Sequence, residues 1–298
     1  MDNVQALINE IKNTGHRKVM LQLPEGLKTK SAEVAERLEG AGVSVLLRNK
    51  PSYGACDLAD KEAKQMGCDL LVHVGHNKFY RDFGVAVPVL YFPWIMDVPM
   101  DDIDFSVISE KRIGLVTNIQ HLHLLEDVRK KIEETGKTVI IGGQLLGCWT
   151  ANAVKIENDI DAFLFVGSGV FHSLALKTDK KVYGLDLERK KIEPVDLSLL
   201  ERRRWAHIYK AREAKTFGIL VSTKEGQNQL IGNAEKIRQL LERKDKKAFV
   251  LVMDEIRDDM LLGIKADAFI NTACPRIMDD TWTRPLVNAT DVDKLFDD

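Results

Sequence analysis

A recurrent pattern is clearest in Thr138-Val139-Ile140-Ile141-Gly142-Gly143-Gln144-Leu145-Leu146-Gly147-Cys148, where an apolar run passes through glycines to a single cysteine. Two other stretches share it: Tyr53-Gly54-Ala55-Cys56-Asp57 follows the apolar run 43–47, and Asn271-Thr272-Ala273-Cys274-Pro275-Arg276 follows the run 268–270. We interpret each apolar run as a buried parallel strand. Parallel α/β sheets bind ligands beyond the carboxyl ends of their strands, so the three thiols are expected on the ligand side.

Outward from these stretches, predicted strands and helices alternate and the order begins again about every 100 residues, which is too long a period for a solenoid. We therefore predict an α/β fold of three related small domains with parallel sheets, in a pseudo-threefold arrangement around a central site. The predicted domains are 1–105 with Cys56, 106–196 with Cys148 and 197–298 with Cys274. The third repeat is imperfect, because its cysteine follows the third strand and not the second.

Composition describes an ordinary globular protein. The 298 residues are 45% hydrophobic and 30% charged, with a net charge of -2. A near-neutral balance argues against a general nucleic-acid binder, which normally shows a basic excess. No apolar run approaches the roughly 18 residues of a membrane span, and no signal peptide is recognisable. We expect a cytoplasmic protein with no membrane or nucleic-acid partner, whose acidic closing segment 291–298 frays.

Cysteines of a cytosolic chain are better read as ligands, nucleophiles or core residues than as disulfides. Three thiolates can hold a four-iron four-sulfur cluster while leaving one iron open to a substrate or cofactor. Zinc is the alternative, although zinc ligands more often come in closely spaced pairs. A lone cysteine is commonly a small core residue, and we expect this role for Cys68, at a helix-to-strand junction.

Five stretches in order resemble the archaeal diphthamide synthase radical enzymes, over essentially the whole chain. They are Leu23-Pro24-Glu25-Gly26-Leu27, Tyr53-Gly54-Ala55-Cys56-Asp57-Leu58-Ala59-Asp60, Val72-His73-Val74-Gly75-His76, Gly143-Gln144-Leu145-Leu146-Gly147-Cys148 and Asn271-Thr272-Ala273-Cys274-Pro275-Arg276-Ile277. The usual radical-enzyme triplet Cys-x-x-x-Cys-x-x-Cys is absent, as it is in that family.

This resemblance implies a homodimer in which Cys56, Cys148 and Cys274 of each protomer hold the 4Fe-4S cluster at the central site. It also implies that S-adenosylmethionine is cleaved between sulfur and the methionine γ-carbon, giving a 3-amino-3-carboxypropyl radical. That group is added to the imidazole C2 of a histidine in translation elongation factor 2, the first step of diphthamide formation. An electron donor is required, and we assign the thiolates a ligand role with no acid-base role.

Several residues are candidates for binding the cofactor. Ser222, Thr223, Lys224 and Gln227 lie where a strand enters a glycine loop and then a helix, a favourable place for a carboxylate, although an ordinary helix start looks the same. Glu25 is expected to bind ribose hydroxyls or the ammonium group, or simply to cap a helix. Arg276 is expected to pair with a carboxylate or tune the cluster, or to form a surface salt bridge. The sequence assigns no role to three histidines: His73 reads as a core residue, while His76 and His121 could line the cavity.

Two other functions compete with this interpretation. An enzyme like quinolinate synthase also joins three α/β domains through three cysteines, but there the cluster acts as a Lewis acid without S-adenosylmethionine. A non-enzymatic iron-sulfur sensor or scaffold would carry a cluster without turnover. The sequence shows no helix-turn-helix pattern or basic arm that would favour a sensor.

Overall fold

Three separate sheets organise the protein. The computed structural model describes residues 2–78, 84–169 and 171–297, with the backbone alone at 228–231. The helices are α1 Asn3–Thr14, α2 Ser31–Gly40, α3 Asp60–Gln65, α4 Leu125–Glu133, α5 Ala151–Ile156, α6 Ser198–Arg212 and α7 Ile231–Arg243. The strands are β1 Lys18–Gln22, β2 Ser44–Arg48, β3 Leu70–Val74, β4 Val89–Phe92, β5 Arg112–Thr117, β6 Thr138–Gln144, β7 Ala162–Val166, β8 Lys181–Asp186, β9 Lys191–Pro194, β10 Thr216–Ser222, β11 Lys247–Met253, β12 Ala268–Asn271 and β13 Leu286–Asn288.

The three sheets share one strand order. They run β2-β1-β3-β4, β6-β5-β7-β8-β9 and β11-β10-β12-β13, and every pairing is parallel except that of β8 with β9. The predicted α/β class with parallel sheets is confirmed. In each sheet the second strand in the chain pairs with one edge of the first strand, and the third strand pairs with its opposite edge. The resulting switch points, between β1 and β3, β5 and β7, and β10 and β12, are where such sheets bind ligands.

Each sheet has its own apolar core, and local sequence signals explain the helices that cover it. In α4, Leu125, Val128 and Ile132 recur at helical spacing and are all buried,. Helix α1 begins at Asp2, whose carboxylate accepts the backbone N–H groups of Val4 and Gln5, and it ends at a glycine in the left-handed conformation,. The central strands β3 and β7 are buried along their whole length.

The strands that precede the cysteines differ from the sequence-based expectation. Both β2 and β6 are edge strands that are only partly buried, whereas β12 is an interior strand that is fully buried. The expectation of a buried strand before Cys56 and Cys148 was therefore wrong. An edge strand has one neighbouring strand only, so one side remains open even when the sequence is apolar. The third cysteine does follow the third strand of its repeat, as predicted.

Residues 291–297 of the acidic carboxyl-terminal segment pack against the core of the third sheet, so the expectation of fraying was wrong for them. Residues Ala289–Leu295 form a 3-10 helix, with Val292 and Leu295 buried. Asp291 is 1% exposed, and it is paired with Arg204 of α6 and with Lys294. A buried carboxylate is costly unless it is paired, and two cations provide the pairing. Helix α6 contains three consecutive arginines at 202–204, and Arg204 among them thus makes a contact within the chain.

By its internal contacts the chain divides into two compact units. The first comprises 1–146, 150–173 and 177–195, and the second comprises 147–149, 174–176 and 196–298. The boundaries predicted for three domains, at 105 and 196, stay a prediction. Among the described residues, no helix has both the length and the apolarity needed to cross a lipid bilayer.

A glycine in the middle of β10 provides a test of this packing. A Cβ at Gly218 would lie 2.7 Å from the Phe269 ring, so Gly218→Val should lower the free energy of unfolding by about 1–3 kcal/mol through overpacking,. Gly40→Val is the matched control, because nothing lies within 4 Å of that Cβ position and the expected change is within about 0.5 kcal/mol,. Urea denaturation of both variants measures the difference, and equal losses would contradict the β10–β12 packing described here.

Candidate functional site

Cys274 lies in a loop at the carboxyl end of β12. The strand ends at Asn271, and Pro275 begins a 3-10 helix in which its missing N–H costs nothing,. The thiol is largely enclosed, and burial raises its pKa to about 11. The backbone N–H of Arg276 hydrogen-bonds the sulfur and opposes this shift, whereas the nearby Cys148 adds to it. A bare thiolate is therefore unfavourable at this position unless a positive charge accompanies it.

Cys148 belongs to the same compact unit as Cys274, although it follows β6 in the chain. Its loop is connected to the third cysteine loop by Arg276, whose Nη1 donates a long hydrogen bond, 3.4 Å, to the carbonyl of Gly147. Cys148 is exposed, whereas Cys274 is half-buried. The structure thus brings two of the three predicted ligand thiols together within the second unit.

Arg276 is 11% exposed and forms an ion pair with Asp279, which is 23% exposed. Burial raises the pKa of the Asp279 carboxyl, and Arg276 opposes this rise. The pair is therefore mostly enclosed, unlike the solvated surface salt bridge that the sequence left open as an alternative. The Arg276 guanidinium therefore lies beside the two cysteine loops, and the Asp279 carboxylate neutralises its charge.

The predicted cofactor segment 222–227 follows β10, the strand next to β12. Ser222 donates its hydroxyl to Gln227 Oε1 at 3.2 Å and accepts the backbone N–H of Lys224 at 3.2 Å. Lys224 forms an ion pair of 2.8 Å with Glu255, and both side chains are largely buried. Thr223 is exposed, and its N–H bonds to the carbonyl of Met253. This segment and the Cys274 loop both begin at the switch point of the third sheet.

The first unit contains Cys56 and Glu25. Cys56 is half-buried in a turn closed by the N–H of Asp57 and the carbonyl of Gly54, which has a φ of +153°. Glu25 begins the 3-10 helix after β1, is 63% exposed and pairs with Lys28 at 2.6 Å. Cys68 is 5% exposed in the apolar cluster of this sheet, which confirms its interpretation as a core residue.

The three histidines differ in their surroundings. His73 is fully buried in β3 and satisfied at both ring nitrogens, by Gln22 Oε1 at 2.9 Å and by His76 Nδ1 at 3.1 Å. Burial lowers the pKa of His73 well below its usual value and that of His76 to about 4. His121 is 3% exposed, and burial lowers its pKa as well. Its Nδ1 has no hydrogen-bond partner among the described residues.

Buried amide side chains are the part of this region that sequence reasoning missed. Gln22 and Asn271, the last residues of β1 and β12, both hydrogen-bond the backbone of a cysteine loop. Asn77 donates to Gln144 Oε1 at 2.7 Å, and Gln120 donates to the carbonyl of Gly75, so the carboxyl ends of the first two sheets meet through amides. The available signal was an uncharged polar residue closing an otherwise apolar strand.

Comparison with known proteins identifies the family. The model of the family described as "Putative diphthamide synthesis protein" matches residues 23–297. The chain belongs to this family. The resemblance drawn from the five sequence stretches is thereby confirmed.

Relatives in the diphthamide synthesis family cover most of the chain. The 2-(3-amino-3-carboxypropyl)histidine synthase of Pyrococcus horikoshii is 36% identical, over 97% of this chain and 89% of that protein. The protein of the same name from Methanocaldococcus jannaschii is 30% identical, over 93% and 84%. Two crystal structures of Dph2 from Pyrococcus horikoshii, one with a 4Fe-4S cluster, match with a TM-score of 0.85 and 34% identity, covering 98% of this chain and 89% of that one.

The donor set of this chain fits an iron-sulfur cluster chemically. Within each compact unit taken alone, the described residues contain no group of three or more His, Cys, Asp and Glu side chains that could hold a metal ion. Cys148 and Cys274 belong to the second unit, and Cys56 belongs to the first. Thiolate sulfur is the usual ligand of iron-sulfur clusters. Positively charged iron would favour the thiolate form of Cys274, which burial alone disfavours.

The buried histidine pair predicts acid sensitivity. Because the pKa of His76 is about 4 when folded and about 6.5 when unfolded, the unfolded state binds more protons below pH 6.5,. Stability is thus complete above about pH 6.5 and falls as the pH approaches 4, by about 2 kcal/mol at pH 5 from His76 alone. Urea denaturation of the metal-free protein at pH 7.5 and 5 should show this loss, and His76→Gln should reduce it.

Gln65→Asn is the control for that experiment, since Gln65 is exposed at the end of α3 and carries no titratable group. This variant should retain the pH dependence of the parent protein. An unchanged pH dependence in His76→Gln would contradict the burial of a neutral histidine pair.

Proposed function

We propose that this protein transfers the 3-amino-3-carboxypropyl group of S-adenosylmethionine to the imidazole C2 of a histidine in translation elongation factor 2. Cys56, Cys148 and Cys274 are the proposed ligands of a 4Fe-4S cluster with one open iron. When bound and reduced, the cluster would supply one electron to the sulfonium, so that the bond between sulfur and the methionine γ-carbon breaks and methylthioadenosine leaves. After the carbon radical adds to C2, the adduct would return one electron to the oxidised cluster and lose the C2 proton, which restores the imidazole.

One structural observation carries this proposal beyond family membership. The Cys148 and Cys274 loops lie together in the second unit, connected by Arg276, at the switch point where a parallel sheet binds ligands,. Two thiols held near each other at a ligand-binding edge suit a cluster that also binds a cofactor. The name shared by the Pyrococcus and Methanocaldococcus relatives gives 2-(3-amino-3-carboxypropyl)histidine as what those proteins synthesise.

The proposed work of the other residues is to bind and orient the cofactor. Arg276 provides a guanidinium for the methionine carboxylate, and its ion pair with Asp279 keeps the side chain directed toward the cysteine loops,. The hydroxyls of Ser222 and Thr223, the Lys224 ammonium group and the Gln227 amide offer side-chain hydrogen-bonding groups, whereas the backbone N–H groups of Thr223 and Lys224 are already bonded to Met253 and Ser222,. Orientation matters because only the bond aligned for cleavage breaks.

Glu25 is proposed to bind the ribose hydroxyls or the ammonium group of S-adenosylmethionine. Its high exposure leaves the carboxylate able to exchange Lys28 for a ligand, since a surface ion pair contributes little to stability,. Elongation factor 2 as protein substrate, a homodimer and a separate electron donor complete the proposal. We place the enzyme in the cytoplasm, where the elongation factor is found.

Replacing the thiols one at a time tests the cluster and the reaction together. Cys56→Ser, Cys148→Ser and Cys274→Ser should each lose most of the bound iron and the electron paramagnetic resonance signal of the reduced protein, because a hydroxyl is a poor cluster ligand. Each should also lose methylthioadenosine formation from S-adenosylmethionine by at least about 100-fold. Anaerobic iron analysis, the spectrum and product chromatography measure these effects.

Cys68→Ser is the matched control, since this thiol is buried in the core of the first sheet. It should keep the cluster and the activity, whatever it costs in stability. A parent protein that binds iron but forms no methylthioadenosine would refute the proposal and favour the Lewis-acid reaction of quinolinate synthase. Mass spectrometry of elongation factor 2 decides the last step, because only the transferase adds the carboxypropylamine group to a histidine.

A further inference from the structure

Two of the cysteine loops are held by the same chemical device. Gln22 ends β1 and is 0% exposed, and Asn271 ends β12 and is 2% exposed. A buried amide has a donor and an acceptor in one plane, and both require partners. In both cases the partners are backbone groups of the loop that carries a proposed cluster ligand.

Gln22 bridges the loop that follows Cys56. Its Nε2 donates to the carbonyl of Asp57 at 2.6 Å, and its Oε1 accepts the N–H of Ala59 at 3.2 Å. These two groups lie one and three residues after the cysteine. The side chain therefore makes the paired bonds that a neighbouring strand would make, at a place where the loop has left the sheet.

His73 and His76 extend the hydrogen-bond network of the Gln22 amide on the side away from the loop. Oε1 is an acceptor, so His73 Nδ1, 2.9 Å away, must carry a hydrogen,. His73 Nε2 is then the acceptor for His76 Nδ1, at 3.1 Å. The two loop groups permit a single direction for the amide. Rotating it by 180° would set Oε1 against the carbonyl of Asp57 and Nε2 against the N–H of Ala59, and both bonds would be lost,.

Asn271 acts in the same way on the third loop. Its Oδ1 accepts the N–H of Ala273 at 3.0 Å, and its Nδ2 donates to the carbonyl of Cys274 at 2.8 Å. Nδ2 also donates to Asn288 Oδ1 at 2.8 Å, and Asn288 in turn donates to the carbonyl of Pro275 at 3.3 Å. The backbone on both sides of the Cys274 side chain is thus held by amides.

The choice of amides has an electrostatic reason. A carboxylate of the same shape only accepts hydrogen bonds, so it would leave the loop carbonyl without a donor. It would also add negative charge beside sulfur atoms that must become thiolates. An amide supplies both bonds and remains neutral. With the turn held in this way, the N–H of Arg276 stays directed at the Cys274 sulfur.

We propose that Gln22 and Asn271 are positioning residues that set the places of the Cys56 and Cys274 sulfurs before any metal is bound. This inference rests on the proposed function, because it takes these thiols to be cluster ligands. Each amide acts on its own loop, since the two belong to different compact units. Loss of one amide should loosen one cysteine and leave the other unchanged.

The test compares Gln22→Met with Asn271→Leu in the metal-free protein, because these side chains remove the amide without adding a negative charge that would slow alkylation. Iodoacetamide labelling at pH 7.5 is followed by peptide mass spectrometry, which gives a rate for every cysteine. Labelling of Cys56 should rise at least about fivefold in Gln22→Met and that of Cys274 at least about fivefold in Asn271→Leu, the effect of losing one hydrogen bond or more. The other thiol in each variant should keep the rate of the parent protein.

Surface amides provide matched controls for loss of an amide. Gln65→Met and Asn13→Leu make the same chemical change at exposed positions, and both should leave all rates unchanged. Asn288→Ala removes only the outer amide, so it should fold even if Asn271→Leu does not, and it should accelerate labelling at Cys274 alone. Core Cys68 reports global loosening in every variant.

Anaerobic loading with iron and sulfide provides the second measurement. The rate of cluster formation should fall about fivefold in both variants and remain unchanged in the two surface controls. Equal acceleration at Cys56, Cys274 and Cys68, or none at either loop, would overturn the positioning role. A parent protein that takes up no iron would refute the proposed cluster, while the labelling pattern would still decide whether the amides hold the loops.

Discussion

Parallel pairing of strands is the constraint on which the rest of this structure depends. Because β1 and β3, or β10 and β12, run in the same direction, their carboxyl ends open at one edge, and the loops that follow must begin there. At that edge the regular ladder stops, so backbone groups of the loops need other partners. Side chains at the ends of the strands supply them. The fold and the candidate site thus meet at the carboxyl-end edge of the sheet. The residues that hydrogen-bond the loop backbone there also determine where the thiols lie.

In the second unit, burial and neighbouring groups at this edge control whether a cysteine thiol ionises. The Cys274 sulfur is enclosed, which favours the neutral thiol, and a second thiol nearby adds to that preference,. The positive charge of Arg276 does not cancel this preference for the neutral thiol, because Arg276 is already paired with the Asp279 carboxylate. The surroundings of the Cys274 thiol are therefore nearly neutral in charge. The positive charge of a bound metal would be what stabilises its thiolate form. Without metal, the same arrangement keeps the Cys274 thiol protonated and less reactive,.

Much of the fold could be predicted from the sequence because strands buried on both faces are continuous apolar runs. The runs 43–47 and 268–270 agree with β2 and β12 to within one residue. Strands β8, β9 and β13 were not predicted, and β9 and β13 have only four and three residues, which carry too little periodicity,. The fraying predicted for the acidic tail failed because composition does not reveal a partner such as Arg204. The cysteines were recognised from their loops, whereas Gln22 and Asn271 were not, because an amide at the end of an apolar run does not by itself show which loop it will bond.

The third sheet has the same strand order as the other two, yet its cysteine follows β12, which corresponds to β3 and β7, and not β11, which corresponds to β2 and β6. If the three sheets descend from one ancestral unit by duplication, copying alone cannot account for all three thiols. At least one cysteine must have arisen after the copies had diverged, at a non-equivalent position. Selection would then have acted on the point where the sulfurs are needed, and the internal symmetry of the chain would be a record of its ancestry more than a requirement of its chemistry.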